Sequence, residues 1–182
     1  MSYIEKEIEE QPFVIHSLLD REFDHIRQIA RAIREFNPTL VLVAGRGTSD
    51  NAARYAQYVF GIHAELPVAL STPSVHTIYG AKPNLSRALV IALSQSGQSD
   101  DVRQVVQDAR AQGAFTISIT NSLQSPIAQV AEHHIFLGSG EEKSIAVTKS
   151  YTAQLTALAM LTASIMDNAE AQAQLLQLPD LM

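Results

Sequence analysis

The sequence predicts an α/β fold: a three-layer, doubly wound sheet of five parallel strands with helices on both faces. Three observations carry this expectation. Short apolar runs recur along the chain, with Leu40-Val41-Leu42-Val43-Ala44 and Ala88 to Leu93 the strongest. They are nearly continuous rather than alternating, as in strands buried on both faces. Each leads through a loop of small and hydroxylated residues into a stretch of helical period, the alternation that marks a parallel sheet.

Taken in order, Ile15, Leu18, Leu19, Phe23, Ile26, Ile29, Ala30 and Ile33 recur at helical spacing. Pro12 separates this helix from a short charged lead-in, and Asn37-Pro38 ends it. The Leu40 to Ala44 strand is closed by Gly45. Ala52, Tyr55, Ala56, Val59 and Phe60 then share a helical face, with Ser49 or Asp50 placed to cap the helix. A weaker strand at Val68 to Leu70 precedes a short helix from Pro73 to about Tyr79. After the Ala88 to Leu93 strand, Val102, Val105, Val106 and Ala109 mark a helix that Gly113 closes. Phe115 to Ile119 is the next strand. Asn121-Ser122 opens a turn, Pro126 stands where a first helical turn tolerates it, and His134 to Leu137 is the last strand. A loop from Gly138 to Lys143 leads to a long helix from about Ala146 to Asp167. The expected arrangement is flavodoxin-like, with the ligand beyond the carboxyl ends of the strands, where strand order reverses.

Composition narrows the function. The chain has 182 residues, 46% of them hydrophobic, which is one ordinary domain with a sizeable core. A net charge of −6 argues against nucleic acid or an anionic membrane as partner, since both require clustered Lys and Arg. Zero cysteines exclude disulfides, thiolate zinc sites and a cysteine nucleophile. The charged N-terminus lacks a signal-peptide pattern, so a cytoplasmic location is expected. Ala153 to Met166 imitates a membrane span, but Gln154, Thr156, Thr162 and Ser164 interrupt it. A buried or interface helix is the expectation there.

The two loops after the strong strands are Gly45-Arg46-Gly47-Thr48-Ser49 and Ser94-Gln95-Ser96-Gly97-Gln98-Ser99. Hydroxyls and the unpaired N–H groups of a helix start are what a phosphate needs. Other readings fit less well. Asp50 replaces the third glycine of a dinucleotide fingerprint, and Ser71 and Thr72 stand where a ribose-binding carboxylate belongs. Ser94 replaces the first glycine of a hydrolase elbow. Thr148-Lys149-Ser150 lacks the glycine-rich loop of a nucleotide-hydrolysing site. His133 and His134 are adjacent in a strand, point to opposite faces and do not share a metal. His16 and Asp20, one helical turn apart, read as a solvated pair. Ser99, Asp100 and Asp101 also suit an ordinary helix start.

A third segment, Glu142-Lys143-Ser144-Ile145-Ala146-Val147-Thr148-Lys149-Ser150-Tyr151-Thr152, completes a pattern. Together with G-R-G-T-S and S-Q-S-G-Q-S it closely resembles the sugar isomerase (SIS) domain family. Within that family it resembles the first repeat in the isomerase half of the glucosamine-6-phosphate synthases and their deaminase-like relatives. The lead-in Glu7-Ile8-Glu9-Glu10-Gln11-Pro12 is similar to the segment that opens that half. The resemblance spans essentially the whole chain. It implies a hexose 6-phosphate site, with the phosphate held by Ser94, Gln95, Ser96 and Ser99. It further implies sugar or phosphate contacts from Thr48 and Ser49, and a backbone contact at Ile145. No cofactor or metal is implied.

The departures matter as much. Val147 replaces a serine of the third motif, and Gln98 a glutamate of the second. Family enzymes of this branch carry two repeats, and their proton-transfer glutamate, ring-opening histidine and C-terminal lysine lie in the second repeat or the tail. This chain is expected to end where a second repeat would begin. The expected organisation is a helical segment over 1–37, the SIS domain over 38–170, and a tail or linker over 171–182. Glu142 is the best internal candidate for a catalytic base, with loop solvation as its plainer role. The expected function is binding of a fructose or glucosamine 6-phosphate as one half of an aldose–ketose isomerase or deaminase, with a non-catalytic sensing module as the alternative. Pairing, as a homodimer or with a second SIS unit, is expected through the apolar C-terminal helix.

Overall fold

In the computed structural model, which describes residues 2–182, the strands are β1 (Leu40–Gly45), β2 (Val68–Leu70), β3 (Ala88–Ser94), β4 (Phe115–Thr120) and β5 (His133–Phe136). All neighbours are parallel, in the order β2-β1-β3-β4-β5. The helices are α1 (Tyr3–Glu9), α2 (Gln11–Phe36), α3 (Thr48–His63), α4 (Ser74–Thr77), α5 (Asp100–Ala111), α6 (Pro126–Val130), α7 (Lys149–Ile165) and α8 (Ala169–Leu175), followed by a 3₁₀ turn at Leu178–Leu181. This is the doubly wound, flavodoxin-like sheet that the apolar runs predict.

The two-residue period of the strands divides the core. Val41, Val43, Leu89, Ile91, Leu93, Ile117 and Ile119 face α2, α3 and α7. Ala88, Val90 and Ala92 face the other way, onto Val102, Val105, Val106 and Ala109 of α5 and Ile127 of α6. Every residue of β3 is buried, which explains its unbroken apolar sequence. Each such Leu or Ile stabilises the fold by about 1.5–3 kcal/mol relative to exposure. Thr116, Ser118 and Thr120 of β4 are buried too, but bonded: Thr116 Oγ1 accepts the Glu132 N–H at 2.9 Å, and Thr120 Oγ1 lies 3.0 Å from His134 Nε2. His133 instead stacks on Phe115, the two ring centroids 4.8 Å apart.

Four local expectations change. The charged lead-in is itself a helix, α1, closed by a capping box between Ser2 and Glu5. The N-cap of α3 is Gly47, not Ser49 or Asp50, because its φ of 56° makes the turn two residues before Ser49. Helix α7 begins at Lys149 rather than near Ala146, since Thr148 has a non-helical backbone (φ −118°, ψ −83°). Finally, most of α7 is covered by its own chain rather than left as an apolar patch for a partner. Ala153, Ala157, Leu158, Met160 and Leu161 are buried within this chain, where α7 packs against α2 and α3. A helix apolar on most sides is an interior helix, and here its own chain covers it. Helix α8 and the 3₁₀ turn add Leu175 and Leu178 to that core, and Arg27 Nε donates to Gln172 Oε1 at 2.9 Å.

Candidate functional site

The strand order reverses between β1 and β3. From β1 the chain passes through α3 to β2, while from β3 it passes through α5 to β4 on the other side. The crevice at such a point is where doubly wound sheets take ligands. Gly45 pairs with Leu93 and Ser94 with Thr120, so Arg46 and Ser94 leave neighbouring strands side by side.

The first loop turns tightly at Gly45, where a Cβ would stand 2.9 Å from the Ser49 carbonyl oxygen. Thr48, half-buried, is the first residue of α3. Ser49 is buried, and its hydroxyl accepts the side-chain N–H of Gln154 from α7 at 3.0 Å. Gln154 is 1% exposed, and its Oε1 has no partner among the described residues.

In the second loop, buried Ser94 accepts the Gly97 N–H at 3.0 Å, and exposed Ser96 accepts the Gln98 N–H at 3.3 Å. The Gln95 carbonyl accepts the Asn121 N–H at 2.9 Å. Gly97 has a φ of 68°, and a Cβ there would stand 2.2 Å from Ser125 Oγ, so only glycine fits. Ser99 is the N-cap of α5, and its side chain makes no capping bond. Asp100 pairs with Arg103 at 2.9 Å, and Asp101 pairs with Arg46 at 2.6 Å.

The third segment is held from several sides. Glu142 Oε1 accepts the N–H groups of Thr148 at 3.0 Å and Ser150 at 3.1 Å, while Oε2 accepts the Ser150 hydroxyl. The Glu142 carboxylate thus caps α7. Glu7 accepts the N–H groups of Lys143 and Ser144 and the Ser144 hydroxyl. Lys149 is buried, its ammonium 2.6 Å from Glu10 Oε2. Asn121 donates to the Gly140 carbonyl and accepts the Ser139 N–H, each at 2.7 Å. Ile145 projects fully into solvent.

Among the ionisable groups here, the Ser144 hydroxyl holds the Glu7 carboxyl below its ordinary range. Burial opposes it, and the N–H groups of Lys143 and Ser144 and the charge of Lys149 assist. Burial lowers both His133 and His134; the charge of Glu132 opposes it at His133, and His25 adds a push downward at both. On the α4–α5 side, His76 Nδ1 lies 2.9 Å from Asp108 Oδ2. Burial acts to raise Asp108, but bonds from His76, Gln104 and Lys82 outweigh it.

The structure therefore brings Thr48, Ser49, Ser94, Gln95, Ser96 and Ser99 to one edge of the sheet, with Glu142 and Ile145 in the loop after β5. Sequence reasoning missed Glu7, Arg46, Asn121 and Gln154. Glu7 carried a local signal in the E-I-E-E-Q-P segment, Arg46 in the G-R-G-T-S loop and Asn121 in its turn, whereas Gln154 carried none.

The SIS domain family model matches residues 37–164 of this chain. The glutamine–fructose-6-phosphate aminotransferase (isomerizing) of Streptococcus pneumoniae serotype 4 is 33% identical over 180 residues, which cover 94% of this chain and 29% of that protein. The enzyme of the same name from Halobacterium salinarum is 29% identical over 169 residues, covering 90% of this chain and 28% of the relative. A Silicibacter pomeroyi protein assigned as a phosphosugar isomerase superposes with a TM-score of 0.96 at 34% identity, covering 99% of this chain and 55% of that one. The C-terminal domain of the Francisella tularensis glucosamine–fructose-6-phosphate aminotransferase shares the fold, with a TM-score of 0.82 at 22% identity over 99% of this chain and 53% of that one. The chain thus spans less than a third of these curated relatives and about half of these solved chains.

Proposed function

Because the chain belongs to the SIS domain family, we propose that it binds a hexose 6-phosphate of the fructose or glucosamine class, as one SIS half of an aldose–ketose isomerase or deaminase in the cytoplasm. The observation that supports this reading best is the unequal treatment of the helix starts at the ligand edge. Glu142 fills the start of α7 with a carboxylate of the chain's own. The N-caps of α3 and α5, Gly47 and Ser99, make no side-chain cap, and at the start of α5 the Val102 N–H is taken by Asp101 Oδ1 at 2.8 Å, without the double hold that Glu142 has on α7. Such helix starts take an anion. Thr48, Ser49, Ser94, Gln95, Ser96 and Ser99 supply hydroxyls and amides around it, and Ile145 a backbone contact from the third loop. The printed names of the relatives, a fructose-6-phosphate aminotransferase and a phosphosugar isomerase, favour the sugar-phosphate class.

Isomerisation needs a base that moves a proton between adjacent carbons. Glu142 is our candidate, yet both its oxygens are engaged at α7, so proton transfer requires it to release that helix. That engagement favours a second reading, a module that senses sugar phosphate without turnover. In the first reading, the 38–170 body pairs with a second SIS unit or a second copy. An apolar groove of about 440 Å³ between α3, α7 and α8, lined by Tyr55, Val59, Leu175 and Leu178, offers a surface for it.

Proton NMR of fructose 6-phosphate and glucosamine 6-phosphate incubated with the chain tests both readings. Binding with turnover only after a second SIS unit is supplied supports the first. Turnover by the chain alone removes the sensing reading, and no interaction with either phosphate removes both.

A further inference from the structure

We infer that Arg46 is an exchangeable cation of the anion cradle, shared in turn between Asp101 and the phosphate of the ligand, so that Asp101 is a built-in competitor that sets affinity. This rests on the sugar-phosphate reading above.

Arg46 leaves β1 directly beside the point where Ser94 leaves β3, at the reversal of strand order. Other cations toward this end are committed elsewhere. Lys149 is buried against Glu10, and Arg21 donates to the carbonyls of Phe136 and Leu137. Arg103 is tied to Asp100 within α5, and Arg54 to Asp50 within α3. Arg46 is different, because its partner lies on the other loop of the cradle. Its side chain is 60% exposed, and its Nε donates to Asp101 Oδ2 at 2.6 Å, leaving further N–H donors on the guanidinium.

The pair answers an electrostatic problem. Asp100 and Asp101 occupy the first turn of α5, where an incoming anion meets the helix start. A carboxylate there is favourable to the helix dipole but repels a phosphate. Arg46 screens Asp101 from across the crevice. Asp101 is fixed, 25% exposed with its Oδ1 accepting the Val102 N–H at 2.8 Å, while the Arg46 side of the pair stands in solvent, and a pair so open is weak and easily exchanged. A guanidinium meeting a phosphate makes a stronger, forked, charge-assisted contact. Gly45 and Gly47 on either side make the loop a tight turn, which keeps Arg46 at the mouth while its long side chain moves.

The test is calorimetric titration of the full chain with glucosamine 6-phosphate, against glucosamine as the unphosphorylated control. Melting curves of each variant confirm folding. Arg46→Gln is expected to weaken phosphate binding about tenfold, and Arg46→Lys, which keeps the charge but loses the fork, by less. Asp101→Asn is expected to tighten binding about threefold, and this gain is expected to vanish in the Arg46→Gln background. A gain from Asp101→Asn that persists without Arg46, or unchanged affinity in Arg46→Gln, overturns the exchange. Loss of binding in Ser94→Ala/Ser96→Ala beside an unaffected Arg46→Gln overturns the role of Arg46 alone. Unchanged affinity in the double serine variant, or no binding of either glucosamine 6-phosphate or fructose 6-phosphate by the native chain, overturns the cradle reading and this inference together.

Discussion

Glu7 holds Ser144 at two points, accepting its N–H at 3.2 Å through Oε1 and its hydroxyl through Oε2. These residues lie at opposite ends of the sequence, one in the first helix and one in the third motif. The same carboxylate accepts the Lys143 N–H at 2.5 Å. Glu10, three residues on, takes the ammonium of Lys149. One face of the N-terminal lead-in therefore clamps the loop that starts α7.

That clamp is expected to respond to acid. The Glu7 carboxyl is held below its ordinary range, chiefly by the Ser144 hydroxyl. The unfolded chain therefore binds this proton more readily than the folded one. The contribution is fully present above the unfolded carboxylate value of about 4.3 and is lost as pH falls through the lower folded value. Thermal melts across that window are expected to show a shallower acid loss in Glu7→Gln than in the native chain. Parallel curves for the two proteins contradict the clamp.

Gly97→Ala is expected to destabilise the fold by roughly 2–4 kcal/mol, combining the strain of a left-handed backbone with overpacking. The new Cβ would meet both Ser125 Oγ and Ser125 Cβ. A second change, Ser125→Gly, is expected to recover the packing part but not the backbone part. Denaturant unfolding of the single and double variants separates the two. Because Ser125 Oγ also caps α6 through the Ala128 N–H, the reference is the sum of the two single changes, and a double variant that merely adds them shows that the clash is not the cause.

Glu142→Ala is expected to cost about 1–2 kcal/mol, the range for loss of a helix cap, because the N–H groups of Thr148 and Ser150 lose their acceptor. Sugar-phosphate affinity is expected to change less than it does on loss of Ser94. If Glu142 is also the base, turnover in a paired assembly falls in Glu142→Gln far beyond any loss of stability. Equal proportional losses leave it a cap alone.

The strands were legible because burial on both faces demands nearly continuous apolar runs, as in Val90-Ile91-Ala92-Leu93. The positions of the two loops followed from the strands. What was not legible lies in contacts between distant positions. Gln154 reaching Ser49 and Glu7 reaching Ser144 leave no local pattern. The start of α7 was misplaced because Ala146 and Val147 have no property that forbids a helix; the turn comes from Glu142 folding back on Thr148 and Ser150. Its surroundings stay open in the sequence for a different reason. Composition shows that Ala153 to Leu161 avoids water, but not whether its own chain or another covers it.

The most direct measurement is calorimetric titration of the native chain and of Ser94→Ala/Ser96→Ala with fructose 6-phosphate and glucosamine 6-phosphate. Each serine accepts an N–H that shapes the second loop: Ser94 from Gly97 and Ser96 from Gln98. The account predicts micromolar to millimolar binding of at least one phosphate by the native chain, and loss of that binding in a double variant that still melts cooperatively. A folded double variant that binds as tightly as the native chain contradicts it.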